Sequence, residues 1–135
     1  MGEVRVKIRL INATDEALHR RKKLAAKKVR SVEVNAIVDT GAIRTCIPHH
    51  LMLKLGLLPD SYTEARYADG RTDSVMVSEP VSMEILDRRV TEGLLVLGDE
   101  VLLGQTALES TDLLVDCAKQ QVIPRNPNTP VLWVR

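Results

Sequence analysis

A chain of 135 residues with 44% hydrophobic side chains and a formal net charge of +1 has room for one globular domain, but not for two lobes with separate cores. That hydrophobic content excludes wholesale disorder, and the near-neutral charge gives the chain as a whole no pull toward polyanions. Cys46 and Cys117 make no disulfide framework, and no Cys-x-x-Cys or His-x-x-x-His spacing is present, so neither a metal nor any other cofactor is expected. No apolar run is long enough to cross a bilayer, and the first ten residues alternate charge and hydrophobe, unlike a leader. The expectation is a cytoplasmic protein with reduced thiols and no membrane partner. Aromatics are limited to Tyr62, Tyr67 and Trp133, so the core must be aliphatic and rich in β-branched residues, which favours strands.

Val4, Val6, Ile8 and Leu10 alternate with charged residues and predict a half-buried first strand. Asn12 to Asp15 offer capping side chains for a helix or polar excursion over Asp15 to Lys28. Seven basic residues lie between Arg20 and Arg30. With no aromatic residue among them, they read as a solvated face, and nucleic acid is not the expected partner. Val32, Val34, Ala36 and Val38 mark a second strand that ends at Asp39. A short apolar piece follows to Ile47, then a helix from His49 to Leu55 that Pro48 opens and Gly56 stops.

Thr63 to Ala68 and Arg71 to Val77 flank Asp69-Gly70 as a hairpin. Val81 to Ile85 and Val90 to Leu97 predict two more strands. The buried run Val101 to Leu103 leads through Gly104 into a short helix over Gln105 to Glu109. Leu113 to Val115 and Val122-Ile123 pair around a turn near Lys119. The tail from residue 124 is rich in proline and asparagine, and Val131 to Arg135 reads as a terminal strand. These many short strands with one or two short helices describe a single mostly β, barrel-like domain over residues 1–135.

The segment Val38-Asp39-Thr40-Gly41-Ala42 carries the chemistry. A rigid strand aims a carboxylate, a hydroxyl can fix the loop, and a glycine admits close approach of a substrate backbone. With Ala68-Asp69-Gly70 and Leu102-Leu103-Gly104, in that order, the chain resembles the retropepsin-like aspartic proteases, especially small bacterial single-domain members. The resemblance implies a small closed β-barrel acting as a two-fold homodimer on a peptide or protein substrate. It assigns Asp39, Thr40 and Gly41 to catalysis. Ala42, Ile43, Ala68, Asp69, Gly70 and Leu103 would contact substrate. Asp39 from each copy would activate one water, Thr40 would hydrogen-bond across the dimer, and Asp69-Gly70 would lie at the tip of a covering flap.

Ile43 and Arg44 stand where retroviral members carry acids that hold the substrate backbone, and Gln105 stands where those members carry an arginine. The edge strand near Met1 to Val4 and the strand Val131 to Arg135 are the expected dimer contacts, with Trp133 as an anchor. The alternative reading is a non-catalytic peptide-binding or dimerisation module of the same fold.

Overall fold

The first strand, β1 (Arg5–Asn12), buries Ile8 and Leu10 on one side and exposes Lys7 and Arg9 on the other. This is the outcome of its alternating sequence. The structure, a computed structural model, describes residues 3–134; the parts of the expected terminal contacts that involve Met1, Gly2 and Arg135 lie outside the described residues.

Helix α1 (Ala13–Arg20) starts where the Asn12 side chain accepts from the Asp15 N–H at 3.0 Å. It ends at Arg20 rather than running to Lys28. The weak apolar stripe gives a longer helix nothing to bury, and Lys22 adopts the left-handed conformation at φ 60° that closes the last turn. A single 3-10 turn (Ala26–Lys28) follows. The chain is then clamped back to α1. Buried Asp15 accepts from Arg30 Nε at 2.8 Å, Arg30 Nη2 at 2.9 Å and the Arg30 N–H at 3.0 Å.

Strand β2 (Ser31–Val38) pairs antiparallel with β1 in the register Arg5↔Ile37 to Ile11↔Ser31. After β3 (Cys46–Ile47), α2 (His49–Lys54) follows Pro48, and Gly56 at φ 65° ends it. A Cβ on Gly56 would lie 1.7 Å from Arg30 Nη1, so the glycine both caps the helix and admits the clamp. The long hairpin is β4 (Pro59–Arg66) with β5 (Thr72–Ser78).

The β6 (Val81–Ile85) and β7 (Arg88–Glu92) strands form a second hairpin. The strand expected over Val90 to Leu97 is two strands, β7 and β8 (Leu95–Val96), interrupted at Gly93. A Cβ there would lie 2.9 Å from the Ser78 carbonyl, so the two segments separate where the chain presses against the end of β5. Strand β9 (Leu102–Leu103), helix α3 (Gln105–Ser110), β10 (Leu113–Asp116) and β11 (Gln121–Pro124) complete the chain.

The large sheet runs β4-β5-β8-β3-β9-β2-β1-β6-β7, and β10-β11 is a separate two-stranded sheet. The expected closed barrel is therefore, in one chain, a curled half-barrel whose hydrogen-bonded order has two ends. Inside the curl pack Leu10, Ile47, Leu55, Met83, Leu94 and Leu103, all fully or almost fully buried. No aromatic side chain joins this core, and Tyr62 and Trp133 stay 64% and 90% exposed.

Residues 131–134 are not a strand. No strand among the described residues pairs with them, and they are held instead by Asp112, whose Oδ2 accepts from the Val131 N–H at 3.0 Å and Asn126 Nδ2 at 2.6 Å. Those two donors, foremost Asn126, hold the Asp112 carboxyl below its usual range.

The β6–β7 turn has no glycine, yet Leu86 and Asp87 both take positive φ, 48° and 64°. That is the backbone of a two-residue hairpin turn that ordinarily uses Asn-Gly. The double substitution Leu86→Asn, Asp87→Gly is expected to stabilise the fold by about 1–2 kcal/mol. A urea unfolding midpoint that stays the same or falls would contradict this account of the turn.

Candidate active site

Asp39 leaves the end of β2 at the centre of the large sheet. β2 lies parallel to β9, with Ile37↔Leu102 and Val38↔Leu103 in register. Two further backbone bonds extend that pairing: the Ile37 N–H donates to the Val101 carbonyl at 2.9 Å and the Asp39 N–H to the Leu103 carbonyl at 3.0 Å. On its other side β9 meets β3. The carboxylate therefore projects from a strand end that is fixed on both flanks.

The loop after Asp39 folds back on the carboxylate. The Gly41 N–H donates to Asp39 Oδ1 at 3.0 Å and the Ala42 N–H to the Asp39 carbonyl at 3.1 Å. A Cβ on Gly41 would lie 3.2 Å from Asp39 Oδ1, so any other residue would crowd the oxygen. Helix α3 braces the loop from below. Its first N–H groups, on Gln105 and Thr106, donate to the Ala42 and Ile43 carbonyls at 2.8 and 3.0 Å. These bonds satisfy donors that a helix start leaves free.

Gly104 makes this contact possible: a Cβ there would lie 2.5 Å from the Arg44 carbonyl carbon and 2.8 Å from Thr45 N. Its N–H donates to the hydroxyl of Thr45, which is fully buried. Thr45 has a supporting place that its sequence position conceals, because its only signal is a hydroxyl residue within a short apolar run.

The structure brings Asp39, Thr40, Gly41, Ala42 and Ile43 together. Thr40 is exposed and its hydroxyl makes no hydrogen bond among the described residues. Ile43 is 74% exposed, an apolar side chain standing in solvent beside the loop. Leu103 is different from its expected role: it is fully buried, so it supplies a carbonyl and core packing rather than a cleft surface. Its neighbour Leu102 is half-buried.

Ala68, Asp69 and Gly70 form the tip of the β4–β5 hairpin and have no hydrogen bond to the Asp39 loop. The Tyr67 N–H donates to the Arg71 carbonyl at 2.8 Å and the Gly70 N–H to the Tyr67 carbonyl at 2.9 Å, with positive φ at Gly70 alone among the tip residues. This is a three-residue loop with glycine in the left-handed position. Arg71 stacks 5.1 Å from the centre of the Tyr67 ring and pairs with Asp69 at 2.6 Å, which ties the tip internally. A cavity of about 400 Å³ lies against the hairpin, lined by His49, Tyr62, Asp73, Met76, Val96 and Gly98 among others; Asp39 is not in its lining.

Arg44, which stands where an acid was expected from the resemblance, turns inward. Its Nη2 donates to the Gly93 carbonyl at 2.6 Å. The Cys46 thiol lies close enough to feel both Asp39 and Arg44; burial first, then the Asp39 charge, push it up, and Arg44 opposes them. Burial also raises the carboxyl of Glu92, against the pull of Arg44 and the Thr106 hydroxyl. No group of His, Cys, Asp or Glu side chains among the described residues could hold a metal ion.

The raised Glu92 carboxyl binds its proton more tightly in the folded chain, so ionisation opposes folding. Stability falls as pH rises from the ordinary glutamate value through the raised one. Glu92→Gln is accordingly expected to gain stability relative to the parent between pH 4 and pH 7. Chemical denaturation at both ends of that range checks it; an equal difference at both would show that Glu92 does not titrate abnormally.

The sequence profile of the family described as "gag-polyprotein putative aspartyl protease" matches residues 25–110, well over half of the chain and all three motifs. Among solved structures, the retroviral protease-like domain of Ddi1 from Leishmania major is 15% identical, with 96% of this chain and 90% of that chain covered at a TM-score of 0.58. The simian foamy virus (mac) protease in solution is 17% identical, with 77% and 90% covered at a TM-score of 0.49. At 15% identity the Ddi1 likeness establishes the fold. No curated protein matches the chain.

Proposed function

We propose that this chain, which belongs to the gag-polyprotein aspartyl protease family, is an aspartic endopeptidase whose active site forms when two copies bring their Asp39 carboxylates together. One observation carries the reading. Asp39 is fixed at a strand end by the Leu103 carbonyl and by a folded-back loop, while its side chain has no ion-pair partner among the described residues. The Asp-Thr-Gly sequence occurs once, so a second carboxylate of the same kind comes from a second copy.

Two carboxyls held that close share one proton. The ionised one takes a proton from water lying between them, and the water oxygen bonds to the scissile carbonyl carbon. The protonated one gives its proton to the carbonyl oxygen. Collapse of the tetrahedral intermediate breaks the C–N bond as a proton passes to the amine nitrogen. No acyl-enzyme forms. Thr40, exposed in one chain, would hydrogen-bond across the two-fold axis, and Gly41 would let the substrate backbone approach. The β4–β5 hairpin would close over the peptide with Ala68, Asp69 and Gly70 at its tip. Exposed Ile43 and half-buried Ala42 would give the bound peptide an apolar wall.

A second reading has its own support. Ile43 and Arg44 follow the Asp39 motif, and Arg44 is occupied by the Gly93 carbonyl, so these two positions present no acid to substrate N–H groups. A peptide-binding or dimerisation module of this fold would need none. The two readings separate in one experiment: the parent chain and Asp39→Asn are incubated with a diverse peptide library from pH 4 to 7, and cut sites are read by mass spectrometry. Cleavage by the parent, with a loss of at least about a thousandfold in Asp39→Asn, is the expected result. Equal peptide binding by both proteins with no turnover at any pH would favour the module.

The dimer itself predicts a signal. Trp133 is the single tryptophan and is 90% exposed beside exposed Leu132 and Val134. Pairing of this tail across the axis would bury the indole, so its emission should shift to the blue as protein concentration rises through the dimer constant. Deleting residues 130–135 should leave a monomer in sedimentation. A dimer undisturbed by that deletion would move the interface elsewhere.

A further inference from the structure

The segment from the last residue of α1 to the start of β2 holds seven basic residues from Arg20 to Arg30 and no acidic one, which leaves the remainder of the chain with more Asp and Glu than Lys and Arg. Two of the seven are spent inside the fold. Arg30 is bound by Asp15, and Arg20 lies 3.7 Å from Glu16. The other five, Arg21, Lys22, Lys23, Lys27 and Lys28, are exposed and have no ion-pair partner among the described residues. Of the acids nearest in sequence, Asp15 is taken by Arg30 and Glu16 by Arg89 and Arg20, and exposed Glu33 forms no ion pair with any of the five.

These five charges are held in place. The Lys22 N–H donates to the His19 carbonyl at 2.9 Å and the Lys23 N–H to the Leu18 carbonyl at 2.8 Å. That is the hydrogen-bond pattern of a Schellman helix end, with Lys22 at the left-handed position that usually takes glycine. Past it, the His19 ring pairs with the Leu24 carbonyl at 3.0 Å, and the 3-10 turn closes through Lys28 N–H to the Ala25 carbonyl at 2.9 Å. The Asp15–Arg30 clamp then fixes the far end. A cationic surface ordered in advance loses little entropy on binding.

We propose that this platform binds the phosphodiester backbone of double-stranded nucleic acid. The choice among polyanions follows from what accompanies the charge. The segment has no aromatic residue, so it has nothing on which to stack unpaired bases. It also exposes no large apolar side chain: Leu24 and Val29 are half-buried. Docking of an acidic protein segment draws most of its energy from such anchors, and insertion into a lipid surface needs them too. Phosphate contact needs only fixed cations, because release of condensed counterions supplies the free energy.

The site is separate from the candidate active site. Asp39 and Ser31 lie at opposite ends of β2, roughly 26 Å apart at ordinary strand rise. A duplex on the platform leaves the Asp39 loop open.

The test uses the full chain and short fluorescein-labelled duplexes, one of DNA and one of RNA, read by anisotropy across a salt series. Binding to both is expected whatever their sequence. The logarithm of the association constant should fall against log salt with a slope of up to about −4 to −5, near −0.9 per phosphate engaged. The variant Lys22→Glu, Lys23→Glu, Lys27→Glu, Lys28→Glu should bind neither duplex at any salt concentration. The milder Lys27→Gln, Lys28→Gln should keep binding with a slope shallower by about 2. Circular dichroism melting establishes that both variants are folded. No duplex binding by the parent at low salt would overturn the proposal, as would binding that survives charge reversal. Poly-glutamate or phosphatidylserine vesicles bound as tightly as the duplexes at equal salt would also overturn it.

Discussion

The parallel register of β2 on β9, carried one residue further by the Asp39 N–H on the Leu103 carbonyl, is the constraint on which the rest of the site depends. Parallel neighbours cannot be joined by a tight turn. Here the connection is everything from Thr40 to Val101, including α2, both long hairpins and β8. The β4–β5 hairpin is thus part of the crossover that places Asp39. Gly104 follows β9 at once and lets α3 begin directly under the loop, so strand end, loop and helix start share one small volume. A side chain at Gly104 would drive the Arg44–Thr45 backbone away and with it the peptide unit that supports Ala42 and Ile43.

The distribution of charge around this frame sets Asp39 apart from the acids that tie the fold together. Asp15 and Asp112 are buried, and each is committed to an arginine or to the N–H groups of a segment it ties down. Glu16 is bound by Arg89 and Ser82. Glu92 is half-buried beside Arg44, and burial raises its carboxyl above the ordinary range. Each of these serves the fold, whereas the Asp39 carboxylate is held only by the Gly41 N–H of its own loop. The inward turn of Arg44 belongs to the same arrangement. In place of an acid that would face substrate, the loop sends a cation to the Gly93 carbonyl at the break between β7 and β8. The loop is thereby fastened to a second part of the sheet without a buried ion pair and its desolvation penalty.

Much of this was legible in the sequence wherever one residue type dictates local geometry. The alternation in β1, β2 and β6 set the buried face of each strand. Pro48 and Gly56 bracketed α2, and Asp69-Gly70 located the hairpin tip. The errors fall where tertiary contact overrides local preference. Leu86-Asp87 falls between two expected strands but lacks the glycine of a tight hairpin turn, and it turns because β6 and β7 pair on both sides of it. Val90 to Leu97 reads as one strand because nothing local reveals that Gly93 must pass against the Ser78 carbonyl. Of the helix or polar excursion expected over Asp15 to Lys28, the structure has a helix to Arg20 and an excursion beyond it, where no apolar stripe gives a helix a face to bury. The site shows the same division. Asp39, Thr40 and Gly41 stood out as a motif, whereas Thr45, Arg44 and the backbone of Gly104 acquire roles only when β3, β7 and α3 converge on the loop.

The open ends of the structure bear on how two copies would meet under the proposed function. The β10–β11 pair is a two-stranded sheet not hydrogen-bonded to the large one, anchored in the core by Leu113 and Val122. Beyond it, Asp112 holds Val131 by its N–H, and Leu132, Trp133 and Val134 are exposed. A two-fold axis pairs like with like. It would set each tail and ribbon against its own counterpart in the same operation that sets Asp39 against Asp39. A head-to-tail contact would cover one tail with a different surface, leaving the second tail exposed and each Asp39 without its twin. Covering both tails and completing a two-carboxylate site are therefore met together by an isologous dimer, whereas a head-to-tail contact meets neither in full.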